Sequence, residues 1–203
     1  MNTSKKIKLI IFDFYGIITF GSYRDIARWI AKKYKLKFDD VYEKLYHQCF
    51  TPAGEAKITE RQMWAKIIKV LDLKENWVEL KRRHINYLIL NKVMLNYAIS
   101  LQDRGYKVVF LSKNTPAQMK EVLDKYKIKK YIKNIINTYD LRLPKASPKT
   151  TKVIMKKFKV KPSEMIMSDD QAFNFTGAKK LGIKTVLYKN DLQYTKAIEK
   201  LLK

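Results

Sequence analysis

The sequence predicts an α/β fold, a mostly parallel sheet with helices on both faces, with a small helical unit inserted near its start. Three observations predict it. Short Ile/Val-rich runs alternate with helical patterns through the C-terminal half. Several of these runs stop abruptly at a polar or acidic residue. Between the first run and the alternation, over residues 19–92, strand signals almost vanish and only helical spacing is left.

The first element is Leu9-Ile10-Ile11-Phe12-Asp13, an apolar run with the length and make-up of a buried strand, followed by Phe14-Tyr15-Gly16. An acid at the carboxyl end of such a strand lies where open α/β sheets place their ligands. Helical spacing then runs through Ile26, Trp29, Ile30 and Tyr34, and through Val41, Leu45 and Cys49. Thr51-Pro52-Ala53-Gly54 reads as a loop, before helices carrying Trp64, Ile67, Ile68 and Leu71, then Leu80, Ile85 and Leu88.

From residue 93 the pattern changes. A helix is expected over Val93–Asp103, closed by Gly105, then a strand over Tyr106–Ser112. Thr115 is a plausible N-cap and Pro116 a first-turn residue for a helix ending at Lys125. Ile132–Thr138 is a weaker strand. A proline-marked loop with Pro144-Lys145-Ala146-Ser147-Pro148 leads into a helix to Phe158. Met165–Ser168 is a short strand ending in Asp169-Asp170, followed by a helix over Ala172–Leu181 closed by Gly182. A strand over Ile183–Tyr188 and a helix over Leu192–Leu202 complete the chain. Strands separated by helices imply parallel pairing, so the core is Rossmann-like.

Composition narrows the function. The length of 203 residues suits one sizeable domain or a core with an insert. A single cysteine excludes an internal disulfide framework and fits a reducing, cytoplasmic setting. With only His47, His84 and Cys49 as nitrogen and sulfur ligands, a zinc site is not expected. No leader-like pattern and no membrane-spanning run is found, so no membrane partner is expected. The formal charge is +24, dominated by lysines spread along the chain. That excess favours anionic ligands and leaves a nucleic-acid partner open. No basic motif with interleaved aromatics marks a base-stacking surface.

Four strand ends carry Asp13, Ser112, the loop lysine Lys145, and Asp169-Asp170, and in a parallel sheet they converge on one crevice. In this order the motifs resemble those of the haloacid dehalogenase-like hydrolase superfamily. Ile-Ile-Phe-Asp-Phe-Tyr-Gly is similar to the first motif, Val-Val-Phe-Leu-Ser to the second, Pro-Lys-Ala-Ser-Pro to the third, and Asp-Asp-Gln-Ala-Phe-Asn to the fourth. The segment 19–92 then resembles a helical cap, with residues 1–18 and 93–203 as the catalytic core. Its Gly54–Glu60 stretch is similar to a cap turn of the subgroup that includes sugar-phosphate phosphatases.

The resemblance implies a hydrolase with Asp13 as nucleophile, acting on a small phosphorylated metabolite through an aspartyl-phosphate. It implies Mg²⁺ held by the Asp13 carboxylate, the main-chain carbonyl of Tyr15 and the Asp170 carboxylate, with Asp169 behind them. Ser112 would bond a phosphoryl oxygen and Lys145 would balance charge. Lys113 separates Ser112 from Asn114 and breaks a usual adjacency, so Asn114 is left off the site. Arg24, Trp29, Lys32 and Tyr46 are conceivable specificity residues of the cap. A monomer or a homodimer is expected.

One departure matters. Most phosphatases of the superfamily have a second aspartate two residues after the nucleophile, as general acid and base. Here that residue is Tyr15. Such help gives a factor of about 10²–10⁴ in rate, and a phenol with a pKa near ~10 is no base at neutral pH. Asp-x-Tyr-Gly is also the first-motif form of the 2-haloacid dehalogenases, which need no metal and release a halide that needs no proton. The first motif thus points toward carbon chemistry, and the paired acids of the fourth toward a cation. The third alternative is a catalytically weak protein that binds phosphate or nucleic acid.

Overall fold

The computed structural model describes residues 7–203. Seven strands are present among them: β1 (Leu9–Asp13), β2 (Thr19–Phe20), β3 (Ile89–Leu90), β4 (Lys107–Ser112), β5 (Ile135–Asn137), β6 (Met165–Asp169) and β7 (Lys184–Leu187). Five form one sheet in the order β5-β4-β1-β6-β7, with every neighbouring pair parallel. The first strand is central, so its carboxyl end is flanked on both sides by other strand ends.

Alternation along the central strands divides the core. Ile10, Phe12, Val108, Phe110 and Ile166 face one apolar cluster, which the helices Lys92–Asp103, Pro116–Lys125 and Asp191–Leu202 complete. Leu9, Ile11, Val109, Leu111, Met165 and Met167 face the other, closed by the helices Pro148–Phe158 and Thr176–Lys180. Helices thus cover both faces. The helix starts follow ordinary capping: Thr115 accepts from the Gln118 N–H and Ser147 from the Lys149 N–H, each with a proline in the first turn.

Helices between Tyr23 and Tyr87 bury a third cluster of their own, built on Ile26, Ile30, Val41, Leu45, Trp64 and Ile67. Strands β2 and β3 pair antiparallel where the chain enters and leaves these helices, and the Asn91 N–H donates to the Ile18 carbonyl beside them. Two residues per strand leave no readable periodicity in the sequence, so this pair is invisible there.

Two expectations are corrected. Thr51–Gly54 is not a loop but a helical turn that continues Phe38–Tyr42 and a π-helical stretch, Glu43–Phe50. The Lys66 ammonium takes the Gln48 carbonyl at 3.0 Å, and the helical path continues through Pro52, which lies in the first turn of Thr51–Gly54. The helix expected over Ala172–Leu181 is split into a 3₁₀ turn, Ala172–Phe175, and the short helix from Thr176. The Asp169 carboxylate accepts both the Gln171 N–H and the Asn174 amide at 2.9 Å, which winds the chain tightly around the strand end.

Candidate active site

The sheet register assembles the centre. Asp13 pairs with Leu111, one residue before Ser112, and Phe12 pairs with Ser168, one before Asp169. Three chemically active side chains therefore leave three adjacent strands at one level. Lys145 enters from its loop between two of them. Its ammonium lies 2.5 Å from Asp13 Oδ1 and 2.7 Å from Asp169 Oδ2, and all three side chains are almost fully buried.

Gly177 fixes that loop's place. A Cβ there would come 2.5 Å from the backbone of Ser147 and Pro148, so only glycine lets the helix approach. Thr150 Oγ1 donates to the Pro144 carbonyl at 2.7 Å and ties the loop from its other side.

Carboxylate oxygens of Asp13, Asp169 and Asp170 all lie within 4.8 Å of one another. Gly16 makes room for this: its φ is +107°, and a Cβ would sit 2.5 Å from the Asp170 carboxylate carbon. Burial, and then the neighbouring Asp169 charge, push Asp170 up to about 6. Burial and Asp169 also push Asp13 up, while Lys145 pulls against them. Burial opposes the Lys145 charge, but the two carboxylates beside it outweigh that and hold the lysine protonated. The cluster carries more negative charge than one lysine balances. Oxygen donors with a surplus of negative charge suit a hard cation such as Mg²⁺.

Ser112 Oγ is buried at its strand end without a hydrogen-bond partner. Such a hydroxyl is costly unless something else takes it up; Ser112 itself lies just beneath the lining of the cavity, which its neighbours Lys113 and Asn114 form. The Tyr15 hydroxyl is likewise buried and unpartnered, and burial raises its pKa well above the ordinary phenol value. It is neither a base nor a ready acid.

Above these strand ends lies a cavity of about 180 Å³. Asp13, Tyr15, Lys145 and Asp170 line it from below. Of the cap residues singled out from sequence, Arg24 and Tyr46 line it and Trp29 and Lys32 do not. Trp29 instead stacks under the Arg83 guanidinium at 4.2 Å. Asn114 does line the cavity, although Lys113 intervenes in sequence. The Asn137 side chain grips its backbone from both sides, accepting from the Asn114 N–H at 3.1 Å and donating to its carbonyl at 2.8 Å.

Sequence reasoning missed Tyr42, Phe50, His84, Lys113 and Gln118, which also line the cavity. A signal existed for two of them. Phe38, Tyr42, Tyr46 and Phe50 recur every fourth residue. In an α-helix that spacing drifts forward by roughly 40° per step. The wider π-helical turn works against the drift, and Tyr42 and Tyr46 stack with ring centroids 5.2 Å apart. No local pattern announces His84 and Gln118. Gln118 Oε1 accepts from the Tyr23 hydroxyl at 2.7 Å, which turns its amide nitrogen toward His84 Nε2 at 2.9 Å. His84 therefore accepts there and is neutral, and burial lowers its pKa to about 3.

A sequence profile described as haloacid dehalogenase-like hydrolase matches residues 10–188. No curated protein matches the chain significantly. Solved structures with this fold include a family enzyme from Bacteroides thetaiotaomicron, at 19% identity and a TM-score of 0.77, covering 90% of this chain and 94% of that one. The same enzyme has been crystallised with magnesium and inorganic phosphate. A predicted hydrolase from Porphyromonas gingivalis aligns over 98% of both chains at 16% identity, with a TM-score of 0.78. An L-2-haloacid dehalogenase from Xanthobacter autotrophicus aligns over 96% of this chain and 83% of its own at 15% identity, with a TM-score of 0.66. At such identities the likeness is one of fold.

Proposed function

The chain belongs to the haloacid dehalogenase-like hydrolases, and from that premise we propose that it is a Mg²⁺-dependent phosphatase of small phosphorylated metabolites. The observation that carries this reading is the cluster of buried Asp13 and Asp169 with exposed Asp170, whose first two acids share the single cation of Lys145. A halide-releasing site that uses no metal has no use for the surplus carboxylate. The magnesium and phosphate bound by the Bacteroides enzyme agree with the same chemistry.

Asp13 and Asp170, with the Tyr15 main-chain carbonyl, would hold the ion. When bound, it offsets the repulsion between carboxylate and phosphate. Asp13 attacks phosphorus in line; a bond forms between its carboxylate oxygen and phosphorus as the bond to the leaving oxygen breaks. Lys145 favours the ionised form of Asp13 against the pull of burial and Asp169, and Ser112 donates to a phosphoryl oxygen. Water then cleaves the aspartyl-phosphate, releasing inorganic phosphate and regenerating Asp13. Tyr15 supplies no proton, so the leaving oxygen takes one from solvent or from the substrate itself, and a slow turnover on alkyl esters follows. Helices 23–87 would act as a cap that shields the phosphoryl group from bulk water.

The test is phosphate release from a panel of phosphorylated sugars and nucleotides, in Mg²⁺ or EDTA, for wild type and Asp13→Asn. Release that requires both Mg²⁺ and Asp13 supports the reading. Release indifferent to either refutes it. Tyr15 favours one second reading, halide displacement from a 2-haloacid, and halide release in EDTA would establish it.

A further inference from the structure

Two cations in the cavity have no acid to balance them. Lys113 and Arg24 both line it, and among the described residues neither has a carboxylate at ion-pair distance. Glu55, whose charge reaches Lys113, pairs instead with Lys57 at 2.7 Å. Lys145, by contrast, sits between two carboxylates.

Both are held by rings. The Lys113 ammonium lies 5.4 Å from the centroids of Tyr46 and of Phe50. The Arg24 guanidinium lies 5.1 Å from the centroid of Phe38 and 4.9 Å from that of Tyr42. Aromatic faces steady a cation but satisfy none of its N–H donors. Burial disfavours the Lys113 charge and lowers its pKa, against the more distant charges of Glu55, Asp13 and Asp169, none of which pairs with it directly.

Their position separates them from the reacting centre. Lys113 follows Ser112 and reaches up against the end of the cap helix, where a Cβ on Gly54 would come 3.3 Å from its Cγ. Arg24 stands in the first turn of the helix Tyr23–Tyr34, farther out beside Tyr42. In-line attack by Asp13 from the sheet directs the leaving group toward these residues.

We propose that the cap side of the cavity is a subsite for a second anionic group of the substrate, a carboxylate or a second phosphate, bound by Lys113 and Arg24. The substrate class is then a phosphate ester whose leaving portion is itself an anion. This rests on the phosphatase reading, and the test separates the two. Three matched esters suffice: ethylene glycol monophosphate, phosphoglycolate, and ethylene glycol bisphosphate. The wild type should favour one of the two bis-anionic esters over the monophosphate by about tenfold or more in kcat/KM. Lys113→Met and Arg24→Met should each cost that ester about ten- to hundredfold, mainly through KM, as expected for a charge-assisted contact. Their loss on the monophosphate should be at least about tenfold smaller. The preferred ester tells carboxylate from phosphate.

Equal losses on all three esters would assign these cations to the transferred phosphoryl group and overturn the subsite. No loss on any would overturn it as well, and a lowered melting temperature beside it would make them struts between cap and core. The same esters titrated calorimetrically into Asp13→Asn with Mg²⁺ read the subsite without turnover. Tighter binding of a bis-anion, lost on Lys113→Met in that background, sustains the subsite even if no phosphate is released. Absence of that preference removes the subsite whatever the turnover.

Discussion

Replacing Lys145 by methionine is the most direct challenge to the charge balance of the centre. Methionine keeps most of the buried stem and removes the ammonium. Asp13 and Asp169, with side chains 6% and 0% exposed, are then left facing each other without a cation. Removing one partner of a buried ion pair costs about 3–5 kcal/mol. For a chain of this size that lowers the melting temperature by about 6–20 °C. The sign of the pH dependence follows from Asp13. Its folded-state pKa already lies above the ordinary carboxylate value, because of burial and Asp169, and loss of Lys145 raises it further. A carboxyl with a raised folded pKa favours folding below its unfolded value and loses that advantage as pH rises through the folded one. The variant should therefore melt much lower than wild type at pH 7.5 in EDTA, and the gap should narrow as the pH is lowered to 5, because protonation of Asp13 removes the unbalanced charge. Mg²⁺ in place of EDTA should recover part of the loss at pH 7.5. Scanning calorimetry of both proteins in the four conditions decides it. An equal loss at both pH values with no response to Mg²⁺ would mean that packing, not charge, was removed.

Three further outcomes follow from the same geometry. Tyr15→Asp should raise kcat on alkyl phosphates by up to about 10²-fold, and less on p-nitrophenyl phosphate, whose leaving group needs no proton; a fall on both substrates would put the tyrosine itself in the chemistry. Gly16→Ala forces a Cβ to within 2.5 Å of the Asp170 carboxylate carbon, so the Mg²⁺ concentration for half-maximal phosphate release should rise about tenfold or more, given a strain of about 1–3 kcal/mol. An unchanged midpoint would detach Asp170 from the ion. Buried His84 has its pKa lowered to about 3 from 6.5, so the unfolded chain binds its proton first and stability should fall as pH drops below the unfolded value, by up to about 1.4 kcal/mol per pH unit. Urea midpoints between pH 7 and pH 4 should decline less steeply for His84→Gln, and parallel declines would show that other groups dominate.

The sheet and its helices were legible because each strand is a short apolar run and each crossover helix has a cap residue at its start, as at Thr115 and Ser147. The meeting of Asp13, Ser112, Lys145 and Asp169 followed from topology alone, since parallel strands bring their carboxyl ends to one edge. What failed was local. Pro52 and Gly54 read as a loop, but Lys66 takes up the Gln48 carbonyl from outside, Pro52 falls in the first turn of its segment, and the helix runs on. Residues 172–175 read as helix, but Asp169 holds the Gln171 N–H and the Asn174 side-chain amide and draws the chain into a tighter 3₁₀ turn first. In both cases a side chain distant in the pattern supplies or removes a backbone partner, and periodicity carries no trace of that. Asn114 was missed for a related reason. Spacing put it one residue out of place, whereas Asn137 holds its backbone at the cavity.

The attachment of helices 23–87 shows where the remaining information lies. Among the described residues, the hydrogen bonds and ion pairs that tie helices 23–87 to the sheet domain end on one short stretch: Tyr23 and His84 on Gln118, Glu60 on Thr115, Lys81 on Glu121, and the Ile85 carbonyl on Lys125. All of these partners lie on or beside the helix that follows β4. On the opposite side, above Asp170, the cavity is bounded by Arg24, Tyr42 and the ring of Phe173, which is 59% exposed. The polar ties therefore gather on one flank, and the flank nearer the acids is closed only by side chains in contact with solvent. On the proposed function, an anion drawn in by the +24 charge of the chain meets Arg24 at that open flank before it reaches Lys113, with the carboxylate cluster beneath both. The proposed subsite thus orders the cations from rim to floor, and its outer members are the ones no motif could have named.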